Sequence, residues 1–382
     1  MQSFKQANTS KLPKVGTTIF TTMSRLATEQ NALNLSQGFP DFAPDPLLIK
    51  LAVEAMKGDF NQYAPMQGIL SLRDVISESL HGTYYHPETE ITVTAGATQA
   101  IYTAISTFIR PNDEVIVIKP AYDCYEPAIE VNGGVPVFVQ LKGKEYKMDW
   151  EGFREQINSR TKMIIINTPH NPTGKIFSRE DMLTLQEILK DTAIILLSDE
   201  VYEHIIFDGQ IHQSASSFAD LASRSFICAS FGKTFHITGW KMGYCVAPVA
   251  LMKEFQKVHQ FNVFCANHPL QQALTTYLKT PEHYLELNDF YQSKRDLFNK
   301  GLEGSKFTST PAQGTYFQLL DYSKITHEPD TVYAKRLAID HKIASIPVSG
   351  FNLDQMDHQQ LRFCFAKTDD TLKRAIDILL KV

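Results

Sequence analysis

Hydrophobic and polar positions follow two rhythms through the middle of the chain. The short β-branched run at 91–94 predicts a strand. Behind it, Gly96, Ala97 and Thr98 open a stretch in which Ala100, Ile101, Ala104, Ile105 and Phe108 recur at helix spacing, closed by Pro111. The runs at 114–118, 163–167, 194–198 and 226–230 predict further strands, with a helical pattern at 179–189 among them. Apolar runs without polar interruption suit strands covered on both faces. The pattern therefore predicts an α/β fold around a parallel or largely parallel sheet flanked by helices.

The character changes after 267–279. Positions 284–302 predict a long helix rich in charge and aromatics, and 314–320 and 360–366 read as strands around a helix at 331–341. A seam is expected near residue 275, with a large domain over 41–275 and a smaller α/β unit formed by 1–40 and 276–382. The first 40 residues, with Pro13, Gly38 and Pro40, show no strand ladder and are expected to form an arm.

A length of 382 residues suits two such domains. No apolar run approaches the roughly 18–20 residues of a membrane span, and the N-terminus lacks the apolar core of a secretory signal, so a cytoplasmic protein without a membrane partner is expected. A formal charge of −5, with no basic cluster, gives no field for a phosphate backbone, and nucleic acid is not an expected partner. Five cysteines (124, 228, 245, 265 and 364) without a C-x-x-C pair fit reduced thiols better than disulfides or a structural metal.

In open α/β sheets ligands sit beyond the carboxyl ends of the strands, and here those ends are polar. Gly96-Ala97-Thr98 follows the first run, Tyr122 the second, Asn171 (in H-N-P-T-G) the third, Asp199 and Tyr202 (in S-D-E-V-Y) the fourth, and Lys233 (in S-F-G-K-T) the fifth. A carboxylate directly after an apolar run is desolvated and needs a cation or strong donor, unless Asp199 is an ordinary helix cap. Lys233, between apolar flanks, suits a nucleophilic amine for Schiff-base chemistry, unless it is a solvated surface lysine. A helix N-terminus at Gly96-Ala97-Thr98, together with Ser230 and Lys241, favours a phosphate; its plain alternative is a tight turn. Tyr122 is either a stacking platform or packing. Arg362, inside the apolar L-R-F-C-F, demands an anion, either a ligand or a structural Asp or Glu.

Together these groups match a phosphate, an aromatic ring with a basic nitrogen, and an aldehyde that condenses with lysine, as in pyridoxal 5′-phosphate. The chain also resembles the class I/II aminotransferases of the fold-type I PLP enzymes. The resemblance rests on N-L-S-Q-G-F-P-D at 34–41, Y-A-P-M-Q-G at 63–68, P-H-N-P-T-G, S-D-E-V-Y, S-F-G-K-T-F-H-I-T-G-W-K-M-G-Y and L-R-F-C-F-A-K in that order. Within the family it is most similar to the methionine aminotransferase and kynurenine aminotransferase (glutamine transaminase K) group.

The resemblance implies a mostly parallel seven-stranded sheet, a smaller α/β domain and a homodimer with a shared site, acting on amino acids and 2-oxo acids. It implies that Lys233 condenses with the cofactor, that Asp199 faces the pyridine nitrogen, and that Asn171 and Tyr202 face the ring oxygen. Tyr122 would stack on the ring; Ala97, Thr98, Ser230 and Lys241 would hold the phosphate, with Tyr63 arriving from a second subunit. Many relatives carry arginine where this chain has Lys241. Arg362, assisted by Asn171 and Gly38, would take the substrate α-carboxylate. Phe20, Phe39, Tyr63, Tyr122 and Phe351 would wall the side-chain pocket and favour an apolar or aromatic amino acid, unless some of them, Phe20 and Phe351 above all, only fill the domain interface. Cysteine-conjugate β-elimination at the same site is the alternative activity. A DNA-binding regulator on this fold is disfavoured because only about 40 residues precede the fold, without a basic helical motif. A Rossmann dehydrogenase is disfavoured because no G-x-G-x-x-G appears.

Overall fold

The apolar runs are buried on both faces, and the sheet they build fixes where the polar strand ends lie. The structure is a computed structural model describing residues 10–80 and 82–382; the first nine residues of the expected arm lie outside the described residues. Seven strands form the main sheet: β1 (Ile91–Thr94), β2 (Glu114–Lys119), β3 (Val135–Gln140), β4 (Thr161–Asn167), β5 (Ile195–Asp199), β6 (Ser225–Ser230) and β7 (Gly243–Val246). Their order is β1-β7-β6-β5-β4-β2-β3. Only β7 runs against its neighbours, pairing antiparallel with both β1 and β6. The carboxyl ends of the other six therefore share one rim.

Two of these strands carry weak sequence signals for identifiable reasons. β3 is an edge strand; it contains Pro136 and leaves Val135 exposed, so it lacks the continuous apolar run of a buried strand. β7 has four residues and begins with Gly243. The predicted strand at 314–320 starts instead at Phe317, because Thr315 adopts a φ of +65°, which a strand ladder does not accept. The predicted helix at 284–302 is divided at Glu286 into Glu282–Leu285 and Leu287–Gly301.

The C-terminal region supplies a three-stranded antiparallel sheet with Gln360–Cys364 between Ile346–Pro347 and Phe317–Asp321. The N-terminal segment joins it: Leu33–Asn34 pairs in parallel with Ile343–Ala344, and the helix Ile19–Glu29 packs on Asp330–Asp340. Among the described residues no helix is long and apolar enough to cross a membrane.

Gly243 links the sheet to the rim. A Cβ there would stand 2.6 Å from the Ala229 carbonyl oxygen and 3.0 Å from the Ala97 nitrogen, both backbone atoms without room to yield. Its absence lets the helix Ala97–Phe108 start directly against the sheet. Gly243→Ala is expected to lower unfolding free energy by about 1–3 kcal/mol in urea denaturation; an unchanged midpoint would show that the contact is not tight.

Candidate active site

A cavity of about 270 Å³ opens at the shared rim, closed from the opposite side by the C-terminal region. Asp199, the last residue of β5, is 3% exposed. Its carboxylate accepts a hydrogen bond from Tyr125 Oη, and its backbone oxygen accepts one from Asn167 Nδ2 at 2.9 Å. Burial pushes the Asp199 carboxyl up to about 6, while the Tyr125 donor and the positive charge of Lys233 pull it back. Lys233 leaves β6 on the one-turn helix Phe231–Thr234 and lines the same cavity. Its Nζ donates to the Gly38 carbonyl at 3.2 Å and lies 5.7 Å from the ring centres of both Tyr202 and Tyr316. Enclosure by these groups lowers its ammonium to about 8. A lysine that gives up its proton far more readily than an ordinary one therefore faces a cavity that also holds a buried carboxylate.

The second cluster has the donors to accept an anion. Gly96 caps the helix Ala97–Phe108 with a φ of +80° and provides no side-chain cap, which leaves the first N–H groups of the helix directed at the cavity. Lys241 holds a left-handed conformation at φ +56°, and its Nζ lies 3.5 Å from where a Gly96 Cβ would stand. Ala97, Thr98 and Ser230 line the same end. Burial also raises the Tyr122 phenol, opposed by its hydrogen bond with Thr98.

Arg362 reaches the cavity from the middle strand of the C-terminal sheet and is 1% exposed. Nη1 donates to Asn171 Oδ1 at 2.7 Å and Nη2 to the Ser36 carbonyl at 3.1 Å. The Phe317 ring lies 3.9 Å from the guanidinium carbon, with Phe20 at 5.2 Å and Phe351 at 5.8 Å. Among the described residues no carboxylate forms an ion pair with it, and Nε is buried without a partner. The structural Asp or Glu considered from the sequence is not bonded to it; Asp123 acts on it through charge alone. A buried guanidinium whose Nε is unused and which forms no direct ion pair among the described residues can accept an incoming carboxylate.

Phe20, Gly38, Tyr122, Asn171 and Tyr202 also line this cavity, but Phe39, Tyr63 and Phe351 do not; Phe351 packs behind Phe20. The Gly38 carbonyl turns inward, accepting from Lys233 and from Tyr316 Oη at 2.6 Å, and the next side chain falls outside. Phe39 is 46% exposed, with the Lys367 ammonium 5.2 Å above its ring. Tyr63 is 81% exposed, edge-on to Phe264, and away from the cavity of its own chain.

Sequence reasoning passed over several neighbours. Tyr125 stands three residues after Tyr122, across the turn that opens the helix Tyr125–Val131, and that spacing was the available signal. Asn167 closes β4; its Oδ1 accepts from the Asn171 backbone at 2.8 Å while its amide holds Asp199, so one side chain joins two strand ends. Glu200, fully buried, accepts from Ser198 Oγ (2.7 Å), His212 Nε2 (2.7 Å) and the Ala215 amide (3.0 Å), which pins the segment bearing Asp199 and Tyr202 from behind.

Residues 30–379 match the family profile described as Aminotransferase class I and II. The chain is 45% identical to methionine aminotransferase of Escherichia coli over 375 residues, 97% of each chain. It is 33% identical to human kynurenine–oxoglutarate transaminase 3 over 412 residues, covering 99% of this chain and 90% of that one. The solved structure of YbdL from Escherichia coli, reported with a methionine aminotransferase function, superposes with a TM-score of 0.97 at 43% identity, covering 99% of this chain and 100% of that one.

The lowered Lys233 ammonium gives a direct test. Below about 8 this amine is protonated and unreactive, and above it the free base dominates. In protein freed of bound small molecules, acetylation of Lys233 followed by peptide mass spectrometry is expected to have its midpoint near pH 8. A midpoint near the ordinary lysine value of 10.5 would mean that the amine is solvated.

Proposed function

The chain belongs to the class I and II aminotransferases, and from that membership we propose that it moves the amino group of an apolar or aromatic L-amino acid to a 2-oxo acid with pyridoxal 5′-phosphate. Methionine, glutamine, the aromatic amino acids and kynurenine are the donors considered. The observation that carries this reading is the convergence of Lys233, Asp199 and unpaired Arg362 on one cavity.

The donor set fits the cofactor. An uncapped helix N-terminus with Thr98, Ser230 and Lys241 suits its phosphate, a buried carboxylate poised near 6 suits its ring nitrogen, and a lysine amine near 8 suits its aldehyde. When bound, the cofactor supplies an electrophilic carbon and a ring that takes up the electron pair released at the substrate Cα. The protein does the rest. Asp199, held by Tyr125, would hold a proton at the ring nitrogen, and Lys233 Nζ would take the substrate Cα proton and return it on the far side of the intervening nitrogen. Tyr202 and Asn171 would donate to the ring oxygen, and Tyr122 would pack on the ring. Arg362 grips the α-carboxylate through its free Nε and the Nη donors, which selects amino acids over simple amines.

Phe20, backed by Phe351 at 5.6 Å, and Phe317 give the substrate side chain an apolar wall. A homodimer follows from the same reading. Tyr63, Phe264 and the 90% exposed Phe261 form an aromatic surface beyond the cavity, which suits a second copy contributing Tyr63 across the interface. No observation favours β-elimination.

An amino-acid by 2-oxo-acid activity matrix tests the assignment: turnover with methionine and aromatic donors is expected, and absence of transamination with every pair would overturn it. Arg362→Ala is expected to raise the amino-acid KM and reduce kcat/KM by the equivalent of about 2–5 kcal/mol. An unchanged KM would remove Arg362 from the substrate site.

A further inference from the structure

Five side chains that carry charge at neutral pH line the cavity: Lys233, Lys241, Arg362, Asp199 and Asp123. The proposed reaction uses the first four. Asp123 is left over. It sits in the loop between β2 and the helix Tyr125–Val131, exposed at the cavity mouth. Burial of part of its carboxyl raises its pKa, its own backbone amide opposes this, and Arg362 is the charged group that acts on it. No side chain among the described residues hydrogen-bonds its carboxylate. The loop itself is fixed: the Ala121 amide donates to the Phe351 carbonyl at 3.1 Å, and Tyr122 and Tyr125 on either side pack edge-on at 5.9 Å.

We propose that Asp123 is a specificity-determining residue that ranks dicarboxylic amino acids and 2-oxo acids below neutral ones. The inference rests on the aminotransferase reading and on Arg362 as the α-carboxylate anchor. With one substrate carboxylate on Arg362, a second one two or three carbons away enters a small cavity whose remaining cations are committed. It then meets a fixed carboxylate with no partner. Like charges placed together in a partly desolvated site are strongly disfavoured, and such a repulsive element sets preference without any contact to the favoured substrate. Apolar walls at Phe20 and Phe317 supply the attractive half of the same choice.

The test uses unreactive acids, so binding is read apart from turnover. Calorimetry on the holoenzyme gives dissociation constants for 4-methylthiobutanoate, a neutral-tailed monocarboxylate, and glutarate, a dicarboxylate. Wild type is expected to bind glutarate more weakly by about tenfold or more, and Asp123→Asn to narrow the ratio of the two constants by about tenfold. Asp123→Glu, which retains the charge, should keep most of the wild-type ratio. A ratio unchanged in Asp123→Asn, or a wild type that binds both acids equally, would overturn the role of Asp123 while leaving the aminotransferase reading intact. Failure of wild type to bind either acid would overturn the Arg362 anchor and this inference with it.

Discussion

Everything at the rim depends on keeping a carboxylate buried without letting it neutralise the amine it shares a cavity with. Asp199 has little access to water, and its charge is held by the Tyr125 hydroxyl while its backbone is tied by Asn167. Lys233 is turned toward the Gly38 carbonyl. Each group shifts toward its neutral form, yet neither is locked to the other. That leaves one able to stabilise a cationic ring and the other able to act as nucleophile and base. The sheet makes this possible by bringing both strand ends to one edge in adjacent strands.

A second constraint crosses the molecule. Arg362 arrives from the C-terminal sheet, yet its best-placed hydrogen bond is to Asn171, beyond β4 of the main sheet. Gly38, from the N-terminal segment, bonds Lys233 and Tyr316 through one carbonyl. The cavity is thus assembled from three parts of the chain far apart in sequence. A carboxylate bound at Arg362 would hold those parts in register, which links substrate recognition to the geometry at Lys233.

Much of this was legible in the sequence because charge and apolar runs seldom meet by accident. β2, β4, β5 and β6 were found because burial on both faces leaves continuous apolar runs, and Asp199, Asn171 and Lys233 stood out as polar groups directly after them. Arg362 stood out for the converse reason, as a cation inside an apolar strand. What was not legible depends on direction. Phe39 and Gly38 are neighbours, but one turns outward and the other turns its carbonyl inward. Tyr125 reads as a packing aromatic until its hydroxyl is seen on Asp199, and Asp123 reads as an acidic residue before a helix until the cavity is drawn around it. Exposed Tyr63 has no role within a single chain.

The most direct test of the central claim is chemical trapping. Borohydride reduction of the cofactor-loaded protein, followed by proteolysis and mass spectrometry, identifies which lysine bonds the cofactor. A single phosphopyridoxyl group on Lys233 is predicted. Its appearance on Lys241 or another lysine, or its absence from a protein that binds the cofactor, would contradict the site described above.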